Sequence, residues 1–438
     1  MSQAQNTSPR GLSFCRFYRN AADMVVPEIL ESPVFSDLIH GHHKFDLIFT
    51  EYFLQEAFVV LGHIFNAPVI TYLSVGYYSD TLRFSGALHA AAYLPDKFNN
   101  FISHVGSTGL IERLDNAWSQ FASMVYNNYW YFPAYDALLS QYIEGPLPPI
   151  TDMLRNVSMY FLTANIAADG AKVYPPNVLE LSGLHIGDLE PLDQELKSIM
   201  DTSKAGVIYF SFGTLLNTDY FKKYVIRIFL TIFEELDQTV LWKTNLDTTD
   251  LNLPKNVFIR GYFNQIGILA HPNCVLFLTH GGISSVFEAI NYAVPIVGMP
   301  FFADQDLNVA NAEHYGYGLR LFYKNLTEKS LRWAIKTTLE DSRFKENISK
   351  ASRIFADRPM TSLDTAVFWI EYVIRHRGAH HLKPVTVQMP WYQIFLLDII
   401  AVFLTILSIT IFLVMKTVIF LYRQKFRLDL FKSKIKTN

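Results

Sequence analysis

From about residue 45 to residue 375, short and nearly continuous apolar runs alternate with stretches whose apolar residues recur every three or four positions. The runs at 45–50, 68–74, 158–163, 207–212, 240–243, 274–279 and 295–299 are rich in Val, Ile, Leu and Phe. That is the pattern of strands buried on both faces. The helical periodicity at 222–236 and 328–339 falls between them, and strand–helix–strand order predicts an α/β fold with parallel sheets. Pro175, Pro176 and Pro191, set among several acids, predict a boundary near 175–205. Two α/β domains of similar kind follow, with a ligand expected at strand carboxyl ends in the cleft between them.

One segment fits either of two readings. Residues 118–135 hold Trp118, Phe121, Tyr126, Tyr129, Trp130, Tyr131, Phe132 and Tyr135. A helix packed into the core accounts for them, and so does an apolar acceptor pocket or a membrane-contacting helix.

The last forty residues differ from the rest. Ile399 to Met415 carries no charge, and after Lys416 the run continues apolar to Tyr422. About 20 apolar residues span a bilayer, so one transmembrane helix is expected over 391–422. The tail 423–438 carries Arg423, Lys425, Arg427, Lys432, Lys434 and Lys436 against the single acid Asp429. A basic flank stays cytosolic, which places the large domain on the lumenal side. The spacing of Lys434 and Lys436 from the end resembles a dilysine retrieval signal of endoplasmic reticulum membrane proteins; a basic tail on anionic lipid is the alternative. Sequons at Asn6, Asn156, Asn325 and Asn347 fit a lumenal glycoprotein.

Composition narrows the function. The 438 residues are 50% hydrophobic and 18% charged with a net charge of −3, which argues against disorder and against a nucleic-acid partner. Mean hydropathy is +0.15, in keeping with a membrane segment. Aromatics reach 15%, suited to flat apolar ligands. Cys15 and Cys274 are the only cysteines, so neither a disulfide framework nor a zinc site is expected.

The chemistry concentrates in residues 274–311, CVLFLTHGGISSVFEAINYAVPIVGMPFFADQDLNVAN. A buried strand ends at His280. Gly281 and Gly282 permit a tight turn and close approach to a ligand. Ser284 and Ser285 are expected to cap the following helix, whose amino end offers free N–H groups to a phosphate. A second strand leads to Asp304 and Gln305, a carboxylate and an amide suited to sugar hydroxyls.

This stretch resembles the donor-binding signature of the UDP-glycosyltransferases. Further segments carry the resemblance: VIYFSFGT (207–214), YFNQIGILAHP (262–272) against W-x-P-Q-x-x-x-L-x-H-P, NVLELSGLH (177–185) as the interdomain approach, and AVFWIEYVIRHRGAHHLK (366–383) before the anchor. Together they cover about residues 24–438. The resemblance implies two Rossmann-like domains of GT-B type and inverting, metal-independent hexosyl transfer from a UDP-sugar to a small lipophilic acceptor. Residues 1–185 would form the acceptor domain, 186–375 the donor domain, and 376–390 a juxtamembrane linker. By the same resemblance Tyr262 stacks on uracil in place of Trp, Gln265 bonds the base or ribose, and Glu288 takes the ribose hydroxyls. His280, Gly282, Ser284, Ser285 and Thr214 line the diphosphate, while Asp304 and Gln305 bind the hexose. Asp304-Gln305-Asp306 also spells D-x-D, a metal–diphosphate motif of a different glycosyltransferase fold, and is set aside.

Family members use a histidine base held by an acid at a strand end. Glu51 fills the acid's place, as in invertebrate members, and favours UDP-glucose over UDP-glucuronate as donor. The base should lie roughly 100 residues upstream, yet only 50 residues precede Glu51. His40, His42 and His43 read as solvated loop histidines. Residues 1–20 also lack the apolar run of a signal peptide. The expectation is an incomplete amino-terminal domain, with the base on a missing segment. An active enzyme, alone or as a homo- or hetero-oligomer, and a catalytically silent membrane partner of full-length relatives both remain open.

Overall fold

The apolar runs become the strands of two parallel sheets. The computed structural model describes residues 12–77, 79–87, 91, 94–95, 109–214, 216, 221–246 and 251–436. The first sheet holds β1 (Ile48–Glu51), β2 (Val69–Leu73), β3 (Met159–Leu162) and β4 (Val178–Glu180), side by side in that order. The second holds β5 (Val207–Ser211), β6 (Thr239–Lys243), β7 (Val257–Arg260), β8 (Cys274–Thr279), β9 (Ile296–Gly298) and β10 (Gly318–Arg320). Its order is β10-β9-β8-β5-β6-β7, and every pairing is parallel.

Strand β5 shows why a continuous apolar run was needed. Successive side chains point to opposite faces of a sheet. Val207 and Tyr209 enter the core on one face, and Ile208 and Phe210 enter the core on the other. From β5 the chain builds outward through β6 and β7, then returns to β8 on the other side of β5. Strand order therefore reverses between β5 and β8, and a crevice opens at such a point beyond the strand carboxyl ends.

The first sheet is covered differently on its two faces. Helix Leu12–Leu30 buries Tyr18, Ala22, Val26 and Leu30 in the larger core. The other face is covered by Ala366 and Val373 of helix Ser362–Arg375, packed against Ile70, Met159 and Phe161. A helix grouped by sequence with the donor domain thus lies on the first sheet.

The aromatic segment splits between its two readings. Tyr131, Phe132 and Tyr135 are buried. Helix Leu110–Tyr126, however, buries its polar residues Asn116, Ser119 and Gln120 and exposes Leu110, Ile111, Leu114, Trp118 and Phe121. Asn116 donates to the carbonyls of Ala91 and Leu94 at 2.8 and 2.7 Å, which satisfies its buried amide. The core reading fails for that face.

Residues 385–438 form a separate unit. Its helix Leu397–Lys436 contains one stretch, Leu397–Leu428, long and apolar enough to cross a membrane.

Candidate functional site

Polar side chains converge where β5, β6, β7 and β8 end. A cavity of about 480 Å³ there is lined by Thr214, Lys243, Tyr262, Gln265, Ser285 and Glu288, with His185 from the segment that joins the two sheets. Each reaches it by simple local geometry. Thr214 lies three residues past β5, Lys243 is the last residue of β6, and Tyr262 lies two residues past β7. Tyr262 is 76% exposed, so its ring face is free for a planar partner.

Glu288 is the buried charge of the site, 6% exposed on helix Ile283–Asn291. Burying a carboxylate is costly unless it is hydrogen-bonded. Gln265 Nε2 donates to its Oε2 at 2.7 Å, and His185 Nε2 lies 2.9 Å from its Oε1. Gln265 Nε2 also reaches Ser285 Oγ at 3.2 Å. Gln265 is itself fixed as the first residue of helix Gln265–Ala270, capped by Asn264, whose side chain accepts from the Gly267 amide at 2.9 Å. That cap is what Asn264 supplies where the resembled motif has Pro.

The expected serine caps are not formed. The cap position of helix Ile283–Asn291 is Gly282, no side chain among the described residues caps it, and Ser284 is exposed while Ser285 is buried. Both serines sit inside the first turn, because the helix begins at Ile283, directly after the second glycine. The first-turn amides thus lack a side-chain cap, the condition for meeting an anion.

His280 lies beneath this turn. A Cβ on Gly213 would come within 2.8 Å of its Cε1, and one on Gly282 within 2.7 Å of its Nε2. Two glycines therefore make room for one imidazole. Burial, helped by the Lys243 charge, pushes the His280 pKa down to about 4, so the ring is neutral at physiological pH. Among the described residues its buried Nδ1 finds no hydrogen-bond partner.

Asp304 and Gln305 do not line the described cavity. Both are buried at the start of helix Gln305–His314. Asp304 accepts from Asn308 Nδ2 at 2.6 Å, and Asn308 Nδ2 also donates to the Gly281 carbonyl at 3.0 Å. Gln305 Oε1 accepts from the amides of Phe301 and Phe302 at 2.9 and 3.2 Å, fixing the turn that presents Asp304.

Glu51 ends β1. Its Oε1 accepts from the amides of Phe53 at 2.9 Å and Ser74 at 3.3 Å, and burial raises its pKa. His42 and His43 are exposed in the loop before β1, toward the amino end of the strand whose carboxyl end is Glu51, while His40, also exposed, is not in a loop but ends helix Pro33–His40. A larger cavity, about 810 Å³, also lies at that amino-terminal edge, beside Asp46 and His63. The carboxyl ends carry the chemistry in such sheets, so the smaller cavity is the functional candidate. Among the described residues, no group of three or more His, Cys, Asp or Glu side chains is placed to hold a metal.

Sequence reasoning missed His185 and Lys243. Lys243 was findable: it is the only charged residue of the β6 run, at the carboxyl end where ligands bind. His185 closes the NVLELSGLH segment read as the interdomain approach, but its role was not readable there, since its partner Glu288 is 103 residues away.

Of the sequons, Asn325 is exposed. Asn347 is half-buried and donates its amide to the Gly316 carbonyl at 3.0 Å, and Asn156 Oδ1 accepts from Lys383 at 3.3 Å. Asn6 lies outside the described residues.

The profile of the family described as "UDP-glucoronosyl and UDP-glucosyl transferase" matches residues 19–430. UDP-glucosyltransferase 2 of Dactylopius coccus is 34% identical over 359 residues, 82% of this chain and 68% of that protein. UDP-glucuronosyltransferase 2B15 of Homo sapiens is 29% identical over 388 residues, 87% of this chain and 71% of that protein. Among solved structures, the glycotransferase of kitacinnamycin superposes with a TM-score of 0.55 at 16% identity, covering 81% of this chain and 82% of that one. A UDP-glucosyltransferase from Polygonum tinctorium does so with a TM-score of 0.55 at 12% identity, covering 85% and 84%. These likenesses establish the GT-B fold.

Proposed function

Since the chain belongs to the UDP-glucuronosyl and UDP-glucosyl transferase family, we propose that it moves a hexose, glucose favoured, from a UDP-sugar to the hydroxyl of a small lipophilic acceptor. The observation that carries this reading is the convergence of Tyr262, Gln265 and Glu288 with Thr214, Ser285 and Lys243 around one cavity. A flat ring face, a ribose-accepting carboxylate and a cation are the chemistry of a nucleoside diphosphate.

The chain's own groups divide the work. Tyr262 stacks on the base, and Glu288 accepts from the ribose hydroxyls. Lys243, the first-turn amides after Gly282, and the hydroxyls of Thr214, Ser284 and Ser285 meet the charge that develops on the leaving diphosphate. Neutral His280 supplies one N–H donor under the same turn. Asp304 and Gln305 present the hexose. Attack by the acceptor hydroxyl from the opposite face inverts the anomeric centre and requires a base, with Glu51 as the acid that orients it.

A second reading, a silent donor-binding partner of full-length relatives, draws on Glu51. Its carboxylate is bonded to two backbone amides, and no hydrogen bond to a histidine is found for it among the described residues. The deciding experiment uses membranes expressing the full chain, UDP-glucose and a panel of small phenols, beside Glu288→Ala and Asp304→Ala. Transfer abolished by both substitutions supports the enzyme. No transfer, with UDP binding that Glu288→Ala removes, supports the silent partner.

The same proposal includes a single-pass endoplasmic reticulum protein, large domain lumenal and basic tail cytosolic. Exposed Asn325 is the sequon to test: glycosidase digestion should shift the wild-type chain, and Asn325→Gln should lose that shift. A wild-type chain that never shifts would argue against the lumenal orientation.

A further inference from the structure

We propose that His185 is a positioning residue for nucleotide recognition: it holds the Glu288 carboxylate so that the site distinguishes a ribose from a deoxyribose. This rests on the nucleotide-site reading above and names a residue that reading does not require.

Glu288 is almost fully buried, and an ionised carboxylate can only accept hydrogen bonds. The two donors found for it come from different places. Gln265 belongs to the helix that follows β7, and it takes Oε2 at 2.7 Å. His185 takes Oε1 at 2.9 Å, so its Nε2 carries the proton. With one oxygen fixed by each donor, the carboxylate cannot rotate about its terminal bond without losing a charge-assisted hydrogen bond. Each oxygen keeps a second lone pair for a ribose hydroxyl. Two fixed acceptors side by side suit the paired 2′ and 3′ hydroxyls of a ribonucleotide.

The position of His185 adds a second reason. It lies between β4, the last strand of the first sheet, and β5, the first of the second. Its side chain is 40% exposed and lines the cavity, so it is no core histidine satisfied by burial. The preceding turn is anchored: Ser182 accepts from Arg358 Nη2 at 3.0 Å through its hydroxyl, and its carbonyl accepts from Ser362 Oγ at 2.7 Å. Gly183 follows with a φ of +69°, a left-handed value that favours glycine. The chain is thus tied down at Ser182, three residues before the imidazole that reaches Glu288.

The test compares binding of UDP and 2′-deoxy-UDP by calorimetry, using the full chain in detergent. The variants are His185→Ala and His185→Gln, whose amide restores a donor. His185→Ala should lose about tenfold in UDP affinity, the scale of one hydrogen bond to a charged group. Its affinity for 2′-deoxy-UDP should change by less than about twofold, so that the ribose preference collapses. His185→Gln should recover most of the preference. Equal loss for both nucleotides, or loss in His185→Ala that His185→Gln does not recover, would mean that His185 merely supports the fold, and the proposal falls. Unchanged affinities would mean an idle contact, and the proposal falls equally. If the wild-type chain binds neither nucleotide, the nucleotide-site reading fails, and this inference with it. Wild-type binding with no ribose preference sinks the inference alone.

Discussion

Glu51 and Glu288 are two acids at the working edges of two similar sheets, held by opposite means. Glu51 is held chiefly by backbone amides, those of Phe53 and Ser74, groups that every non-proline residue possesses, with the Ser74 hydroxyl adding a side-chain contribution. Glu288 is satisfied by the side chains of Gln265 and His185, which only those residues supply. A backbone-held carboxylate tolerates substitution at its partners, whereas a side-chain-held one depends on each. The first sheet thus offers a fixed charge on a generic frame. The second offers a charge whose orientation is specified by residues 23 and 103 positions away.

The sharpest way to break this comparison is Glu288→Ala. Loss of a carboxylate that accepts two ribose hydroxyls should weaken UDP binding by about 100-fold or more. A loss under about threefold would remove the ribose from Glu288. Gln265→Ala comes next, at about tenfold, because it frees one carboxylate oxygen and removes an amide from the cavity. Tyr262→Ala should cost a similar or slightly smaller factor, about fivefold to tenfold, through lost stacking. Tyr262→Phe should bind as wild type, and the melting temperature should hold in both, since this side chain is 76% exposed.

The smallest effect belongs to Glu51→Gln and is read in stability. Burial raises the Glu51 pKa above its unfolded value, so the folded chain holds that proton more tightly between the two values. Stability from this group is therefore greatest at low pH and declines as pH rises through the folded value. Glu51→Gln should melt on the order of 1 °C higher than wild type at pH 7 and no higher at pH 4. Its UDP affinity should stay within about twofold, since the cavity lining comes from the second sheet and its approach. A destabilised Glu51→Gln at pH 7 would mean that the hydrogen bonds to Glu51 favour its charge by more than burial opposes it.

Central strands were legible in the sequence because burial on both faces leaves an unbroken apolar run. Strand β8 was read to the residue, and β2, β3, β5, β6 and β9 to within a residue at either end. Strands β4, β7 and β10 were not read. Each lies at a sheet edge, and two have only three residues, too few to set a pattern. In the site, Tyr262, Gln265, Ser285 and Glu288 were legible because a motif fixes their local spacing. Lys243 was visible only to a rule about strand ends, and the contact of His185 with Glu288 only to the fold. Helix Leu110–Tyr126 departs from the core reading for a physical reason: periodicity gives the faces of a helix but not which one turns inward. Here Asn116 and Gln120 face the interior because the carbonyls of Ala91 and Leu94 await them there.

The glycine turn beneath the site has a consequence for anyone diversifying it. Gly281 holds a φ of +85°, and a Cβ added there would press into the Cγ2 methyl of Val309. A Cβ on Gly298 of β9 would strike the same methyl. Residues 281, 298 and 309 therefore share one parcel of space, and a library that varies them independently will return mostly misfolded clones. Trimming Val309 to Ala relieves the crowding at both glycines but leaves the backbone demand at 281 untouched. Selection from such a library should recover replacements at 298 only beside a smaller residue at 309, and at 281 almost none.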